Sequence, residues 1–463
     1  MSDYMFMLEN HLSTAQSRAV AEVQAAAAQA NVNLFLTGGA VRDMLGGYPI
    51  RDLDFTVEGN ALKLAKEVAQ KTGAKTLLFD ESVRSAELLL PGAVTASISM
   101  ARIERYPKIG GKPHVTPATI HEDLRCRDFT FNALALSLNK ASLGLLLDPN
   151  NGLADLERKE VRAVHSYVFF DDPSRILRMV RFKTRMGCQL EEKTKQQYEN
   201  ARMENVERHI PARRLFEELD HIADESNPSE ILQALEQEKL LPLFSPALAG
   251  PKLNLAGLSR LQKARQLLPF GIEFRVNNLA LFLYLLTEKL TPKEKADLIK
   301  ATSMHKSEVD LWQKLEARCR PIERELKSAR LQKPSMVYQG CARAQGEELL
   351  FLHMKSAHRI VQDRIRNYFQ KYLPASQEIT DKQVAAKGVA PGTPKFKKLK
   401  EEMIVARLDG RVRKPAPPPV PEEDSAAARA RGPSSPRTEP HATIQPPQVS
   451  HGRQHRFAGA RRQ

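Results

Sequence analysis

Two textures of hydrophobic spacing follow one another along the chain. From about Asn31 to His165, short β-branched or apolar runs (VNLFLT, LDFTV, TASISM, GLLLD) alternate with helical stretches and Gly/Pro turns, which predicts an α/β domain. From Asp171 to about Tyr372 strand signals nearly vanish. PARRLFEELDHIAD, PSEILQALEQEKLLPLF and NNLALFLYLLTEKL place apolar residues at helical spacing, so the second part reads as all-helical. No fixed-period repeat stands out, which argues for irregular helical domains and against a solenoid. After Arg413 the chain turns rich in Pro, Ser and Arg with almost no large apolar residues, and a segment that cannot bury a core is expected to be disordered.

Candidate chemistry lies in the first texture, in LFLTGGAVRDMLGGYPIRDLDFTVEGN, Leu34 to Asn60. Leu34 to Leu36 read as a strand. Thr37, Gly38 and Gly39 form a turn whose missing side chains let a phosphate approach the backbone, and a helix from Ala40 to Leu45 aims amides at it before Gly46 and Gly47 stop it. In RDLDFTV, alternation puts Asp52 and Asp54 on one strand face while Leu53, Phe55 and Val57 face the core. Two carboxylates on one rigid face suit a divalent metal with hard oxygen ligands, and two Mg²⁺ ions there fit phosphoryl or nucleotidyl transfer. A DxD pair alone also fits a sugar-nucleotide glycosyltransferase.

Composition narrows the partners. With 463 residues and 42% hydrophobic residues the chain can fill several domains. A net charge of +15 and a pI near 9.6 favour a polyanionic partner. No apolar run reaches membrane-spanning length and the N-terminus lacks a secretory pattern, so no membrane partner and a cytoplasmic location are expected. Cys126, Cys188, Cys319 and Cys341 lie far apart without CxxC spacing, arguing against a zinc site or a disulfide framework.

Five motifs in order resemble the class II tRNA nucleotidyltransferase and bacterial poly(A) polymerase family. They are GGAVRD with RDLDF; EDLRCRDFTFNALAL, Glu122 to Leu136; LLDPNNGLADLERKEVRAVH; DDPSRILRMVRFKTRMG, Asp171 to Gly187; and VERHIPARRLFEEL. The segment ITDKQVAAKGVAPGTPKFKKLKEEMIVARLDGRV is similar to one that closes many members. The resemblance implies an α+β, polymerase β-like nucleotidyltransferase head followed by all-α neck, body and tail domains, with a disordered C-terminal extension. The expected boundaries are 1–165 (head), 166–225 (neck), 226–300 (body), 301–413 (RNA-binding tail) and 414–463 (disordered extension).

Carried over position by position, Asp52 and Asp54 bind the metals, Gly38, Gly39 and Arg42 hold the triphosphate, and Arg127 and Asp128 contact the ribose. Asp172 and Arg175 match the residues that hydrogen-bond the incoming base. A carboxylate accepts from the amino group of C or A and a guanidinium donates to a ring nitrogen or carbonyl, whereas U and G present the wrong pattern. Read without the family, the segment is a helix with Asp172 as N-cap and Pro173 at its first position. Its period puts Arg175, Arg178, Arg181 and Arg185 on one side and Ile176, Leu177 and Val180 on the other, making Arg178 and Arg181 further phosphate candidates.

Three positions depart from the family pattern. Cys126 stands for the first Arg of RRD, and the neighbouring Arg125 would point the other way on a strand; Asp171 replaces a Glu; Ser97 sits where a further acidic residue is common. Arg102 to Pro117, with Gly110 and Gly111, resembles the family's flexible loop. Its GGK is not a P-loop, since Pro113 follows Lys112. No His-Asp dipeptide occurs, so an attached phosphohydrolase domain is not expected, and no obligate protein partner is evident. Basic residues interleave with aromatics in QDRIRNYFQKY (Gln362 to Tyr372) and PKFKKLKEEM (Pro394 to Met403), expected contacts for a tRNA acceptor stem and 3′ end. The expected activity is template-independent addition of CCA to tRNA from CTP and ATP with pyrophosphate release. A-only or CC-only addition and poly(A) synthesis remain open within the family, and a glycosyltransferase or a noncatalytic RNA-binding protein outside it.

Overall fold

A computed structural model describes residues 3–269 and 274–410. The expected disordered segment, 414–463, lies outside the described residues. Nine strands belong to the α/β part: β1 (Asn33–Thr37), β2 (Leu53–Glu58), β3 (Lys75–Asp80), β4 (Ser85–Leu90), β5 (Val94–Met100), β6 (Arg102–Arg105), β7 (His114–Pro117), β8 (Ala135–Ser137) and β9 (Leu146–Leu147). Seven form one sheet in the order β3-β4-β5-β2-β1-β8-β9, and β6 pairs with β7 as a separate hairpin. Within the large sheet β2 and β5 run parallel; the other pairs are antiparallel.

Strict alternation decides which face of this sheet is chemical. Leu53, Phe55 and Val57 of β2, Ala96 and Ile98 of β5 and Ala86 and Leu88 of β4 enter one core with Leu34 and Leu36 of β1. Each fully buried Leu or Phe contributes about 1.5 to 3 kcal/mol, so a one-residue slip that exchanged the faces would be strongly disfavoured. The opposite face of the same strands carries Asp54, Thr56, Ser97, Ser99 and Glu87. On β1 the face opposite Leu34 and Leu36 is also apolar, because Phe35 packs with Ile120, Leu124 and Ala135.

The helix α1 (Gly39–Leu45) follows β1 directly, with Gly46 as its C-cap. Beyond the sheet the described chain is almost entirely helical, including α2 (Arg175–Met186) and α3 (Ala212–Asp224). One continuous apolar cluster runs from Phe129 and Phe131 through Ile176, Leu219, Leu281 and Leu349 to Leu373, so the helical part shares a single core. No helix among the described residues is long and apolar enough to cross a membrane.

Two local expectations are corrected. α2 begins at Arg175 with Ser174 as N-cap, two residues later than the Asp172 cap read from sequence. The side chain of Asp172 instead closes a tight turn, accepting from Ser174 N at 3.0 Å and Ser174 Oγ at 2.6 Å. Residues Ile120–Arg125 form a capped helix in place of the strand assumed around Arg125. Its capping box of Thr119 and Glu122 is a strong local start signal that the motif reading passed over.

Candidate active site

The β1–α1 turn, the polar face of β2 and β5, and the start of α2 line one cleft of about 460 Å³. Gly38 has φ +62°, a conformation costly for other residues. A Cβ on it would lie 3.1 Å from Arg127 Nη1, and one on Gly39 would lie 3.5 Å from Asp54 Oδ2. The turn therefore runs close beside the Asp54 carboxylate; Gly38 is required by its backbone conformation, whereas a Cβ on Gly39 would make only ordinary contact.

Asp54 is held from below. Its Oδ1 accepts from Ser97 Oγ at 2.8 Å, and its backbone carbonyl accepts from Thr37 Oγ1 at 3.3 Å. Asp52 lies one residue before β2, at the edge of a second, larger cavity of about 1190 Å³ lined also by Tyr48, Arg51, Arg185 and Arg265. Desolvation by the surrounding protein and the neighbouring Asp54 charge, opposed by Arg51, raise the Asp52 carboxyl to about 6. Two carboxylates that repel each other across adjoining cavities are a donor set suited to a hard divalent cation. Among the described residues no cluster of three or more His, Cys, Asp or Glu side chains is poised around one point.

Arg127 is fixed by Asp123, with Nε to Oδ2 at 2.9 Å, and by Thr56 Oγ1 at 3.1 Å from Nη2. Asp128 accepts from Asn132 at 3.0 Å and from Arg178 Nε at 2.8 Å. Burial pushes its pKa up, but Arg178 and Arg175 outweigh it and hold Asp128 well below the usual carboxylate range. Arg42 is 4% exposed and donates to Asp43 Oδ1 at 2.8 Å and Asn132 Oδ1 at 2.7 Å. Burial lowers its pKa to about 10 despite Asp43. Arg175, 7% exposed, donates to the carbonyls of Cys126 at 3.1 Å and Val168 at 3.4 Å. At position 126 it is therefore the backbone that serves the site.

Arg181 departs most from expectation. It is 4% exposed, with Nε 2.6 Å from Glu218 Oε1 and Nη1 3.0 Å from Glu225 Oε1. Arg185 continues the chain of charges, 2.9 Å from Asp43 Oδ2 and 3.3 Å from Glu225 Oε2. The arginine stripe of α2 is thus mostly interior and ion-paired, because acids from α1 and from the end of α3 meet it. Long-range charge pairing of this kind is invisible in a helical period. Asp171 points elsewhere, its carboxylate 3.8 Å from His165.

Further residues line the cleft that sequence reasoning did not single out: Glu104, Tyr106, Arg214 and His221. Tyr106 donates to Glu104 Oε2 at 2.6 Å. The β6–β7 loop is docked, since a Cβ on Gly110 would stand 2.1 Å from the carbonyl oxygen of His209. In Gln362 to Tyr372 the aromatic rings of Tyr368 and Phe369 are buried, and Arg364 donates to the carbonyls of Ser328 and Leu331 at 2.9 and 2.8 Å. That run therefore builds core. On the helix Pro394–Leu408, Phe396 is buried while Lys395, Lys397 and Lys398 are exposed.

Residues 34–162, which contain Gly38, Gly39, Asp52, Asp54, Arg127 and Asp128, match the family model of the poly A polymerase head domain. An A-adding tRNA nucleotidyltransferase of Aquifex aeolicus is 39% identical over 207 residues, 45% of this chain and 25% of that protein. One from Halalkalibacterium halodurans is 36% identical over 238 residues, 51% of this chain and 56% of that protein. The chain is thus similar to class II tRNA nucleotidyltransferases, most clearly over residues 34–162. It spans little more than half, or less, of the length of these curated relatives. The likeness of fold extends beyond the head: an apo CCA-adding enzyme is similar with a TM-score of 0.51 and 25% identity, covering 89% of this chain and 96% of that one.

Proposed function

We propose that the chain is a template-independent tRNA 3′-end nucleotidyltransferase that builds or repairs the CCA terminus from CTP and ATP. The observation that carries this reading is the shared cleft. Asp54, the Gly38–Gly39 turn, Arg127, Asp172 and Arg175 all line it, which supports a reading in which a carboxylate for the metal, a turn for the phosphates and a pair for the base act in one volume. The names of the relatives support the same chemistry.

In this reading the RNA 3′-oxygen attacks the α-phosphorus in line. The bond from that phosphorus to the oxygen bridging the β-phosphate breaks, pyrophosphate leaves, and the hydroxyl proton passes to solvent. Asp52 and Asp54 would hold Mg²⁺, which when bound neutralises triphosphate charge and favours the ionised 3′-oxygen. Gly38 and Gly39 admit the phosphates and Arg127 supplies a guanidinium edge beside them. Asp128 and Arg178, bonded to each other, form the wall against which the ribose rests. Asp172 and Arg175 read the amino group and the ring nitrogen or carbonyl of C and A. Arg42 acts through its bonds to Asp43 and Asn132 by holding α1 in place. The acceptor RNA reaches the exposed lysines of the helix Pro394–Leu408 in the 301–413 tail, beyond a head of 1–165, a neck of 166–225 and a body of 226–300.

The test is incorporation by the purified full chain with Mg²⁺ on one tRNA ending at the discriminator base, after two Cs, or complete. Each nucleotide is offered alone, and CTP with ATP together. Addition of CCA to the first, A to the second and nothing to the third is expected. A second reading, terminal A addition only, is favoured by the names of the two curated relatives; it requires growth from the CC end alone. Absence of any incorporation overturns both.

A further inference from the structure

One face of α3 looks across the cleft at the polar side of the sheet. Glu217, Asp220, His221 and Asp224 recur at i, i+3, i+4 and i+7, which brings them together on one side of the helix, while Leu215, Phe216, Leu219 and Ile222 are buried on the other. The charges of that face reach the sheet: Asp224 bears on Asp52, and Glu217 and Asp220 bear on Glu87 of β4. His221 is the uncharged member of the four. Desolvation by the surrounding protein, with the guanidinium groups of Arg181, Arg178, Arg51 and Arg214, keeps its ring neutral near neutral pH.

His221 also stands where two cavities meet. It lines the one of about 460 Å³ that holds Asp54 and the Gly38–Gly39 turn, and the one of about 1190 Å³ that reaches Asp52. Arg51, Arg181 and Arg185 share that boundary, but each is engaged by Glu225, at 3.4, 3.0 and 3.3 Å. The imidazole is exposed and makes no hydrogen bond or ion pair with any described residue.

In-line transfer limits what passes this boundary. The attacking oxygen and the departing pyrophosphate lie on opposite sides of the α-phosphorus, so a triphosphate against the Gly38–Gly39 turn and Arg127 leaves the Asp52 side for the acceptor. The larger cavity suits a single strand there, with Arg51, Arg265, Arg275 and the ring of Tyr48 along its wall. The terminal ribose then comes to rest where the two cavities join. Its 2′-hydroxyl is donor and acceptor at once, and a neutral imidazole offers one of each. The neighbouring carboxylates of α3 repel the phosphate carried by that same nucleotide.

Resting on the nucleotidyl-transfer reading above, we propose that His221 is a specificity-determining residue that hydrogen-bonds the 2′-hydroxyl of the acceptor's terminal ribose, so that an RNA 3′ end is selected over a DNA one.

The experiment uses the full chain, wild type against His221→Phe, His221→Ala and His221→Gln, with folding checked by circular dichroism. Each is given ATP, Mg²⁺ and one tRNA ending after two Cs, whose last ribose is either intact or 2′-deoxy, and kcat/KM for the acceptor is measured. Wild type is expected to prefer the intact ribose about tenfold, the effect of losing one hydrogen bond in a desolvated site. His221→Phe and His221→Ala lower kcat/KM on the intact end by a similar factor and leave the deoxy end unchanged, so the preference falls to within about twofold. His221→Gln, whose amide keeps a donor and an acceptor, retains part of it. A wild type indifferent to the 2′-hydroxyl overturns the proposal, as do Phe and Ala variants that lose activity equally on both ends and so keep the full preference. Those results leave extension of the intact end, and with it the functional reading, standing; wild-type protein that extends neither end overturns both.

Discussion

Asp54 is the side chain on which the cleft is built. It has Ser97 on one oxygen and the Gly38–Gly39 turn beside the other. Asp54→Ala should lower nucleotide incorporation by roughly ten-thousand-fold, while affinity for tRNA in a filter-binding assay stays within a few-fold. Unaffected incorporation would remove it from the chemistry. His221 offers a different probe. Desolvation in the cleft and the guanidinium groups of Arg181 and Arg178 from α2, Arg51 from the turn before β2 and Arg214 from its own helix hold its pKa well below 6.5. The unfolded chain then binds the proton more tightly than the folded one, so the stability that neutral His221 permits is complete above pH 6.5 and is lost as pH falls through that value. His221→Gln should flatten the acid limb of Tm against pH between about 6.5 and 5; an unchanged limb would assign the loss to other groups.

At the scale of elements, the β6–β7 hairpin is the segment whose position matters most for the cleft, because Glu104 and Tyr106 lie on its inner side and its tip meets His209. Gly110 has φ +67° and no room for a Cβ, so the docked loop depends on glycine twice over. Gly110→Ala should destabilise the docked loop by about 1 to 3 kcal/mol. Limited proteolysis should then cut between Tyr106 and Lys112, and KM for nucleotide should rise with little change in global Tm. A protease-resistant loop in the variant would contradict docking at His209. The same logic separates α1 from the surrounding loops. Its seven residues are too few for a stable isolated helix, and it persists because Val41 and Met44 enter the sheet core.

Across the whole described chain, the α/β part and the helical part are joined by buried charges. Asp43 of α1 meets Arg185 of α2, and Glu225 beyond α3 receives Arg181, Arg185 and Arg51. Removing one partner leaves the others charged and dry. Arg181→Met should therefore cost about 3 kcal/mol in denaturant unfolding, with KM for ATP changed less than twofold at a temperature where the variant is folded. A large KM effect with intact stability would restore Arg181 to the phosphate contacts that its helical spacing suggested. Three distinct loci carry these predictions: Asp54 the proposed chemistry, Gly110 the docked loop, Arg181 the joint between layers.

What the sequence determined by itself was everything carried by short-range rules. The alternation in LDFTV placed Asp54 opposite the core, the double glycine after LFLT produced the turn, and the ordered motifs from Leu34 to Leu219 carried the family resemblance. Tertiary structure alone decided who meets whom. Asp52 fell just outside β2 because the chain bends before Leu53, and the arginine face of α2 went inward because Asp43, Glu218 and Glu225, distant in sequence, arrive there. Tyr368 and Phe369 became core where an RNA surface was expected, since the apolar cluster extends to Leu373. Periodicity follows from backbone geometry that each residue shares with its neighbours, whereas the partner of a long charged side chain depends on strand register and helix packing set across the whole fold.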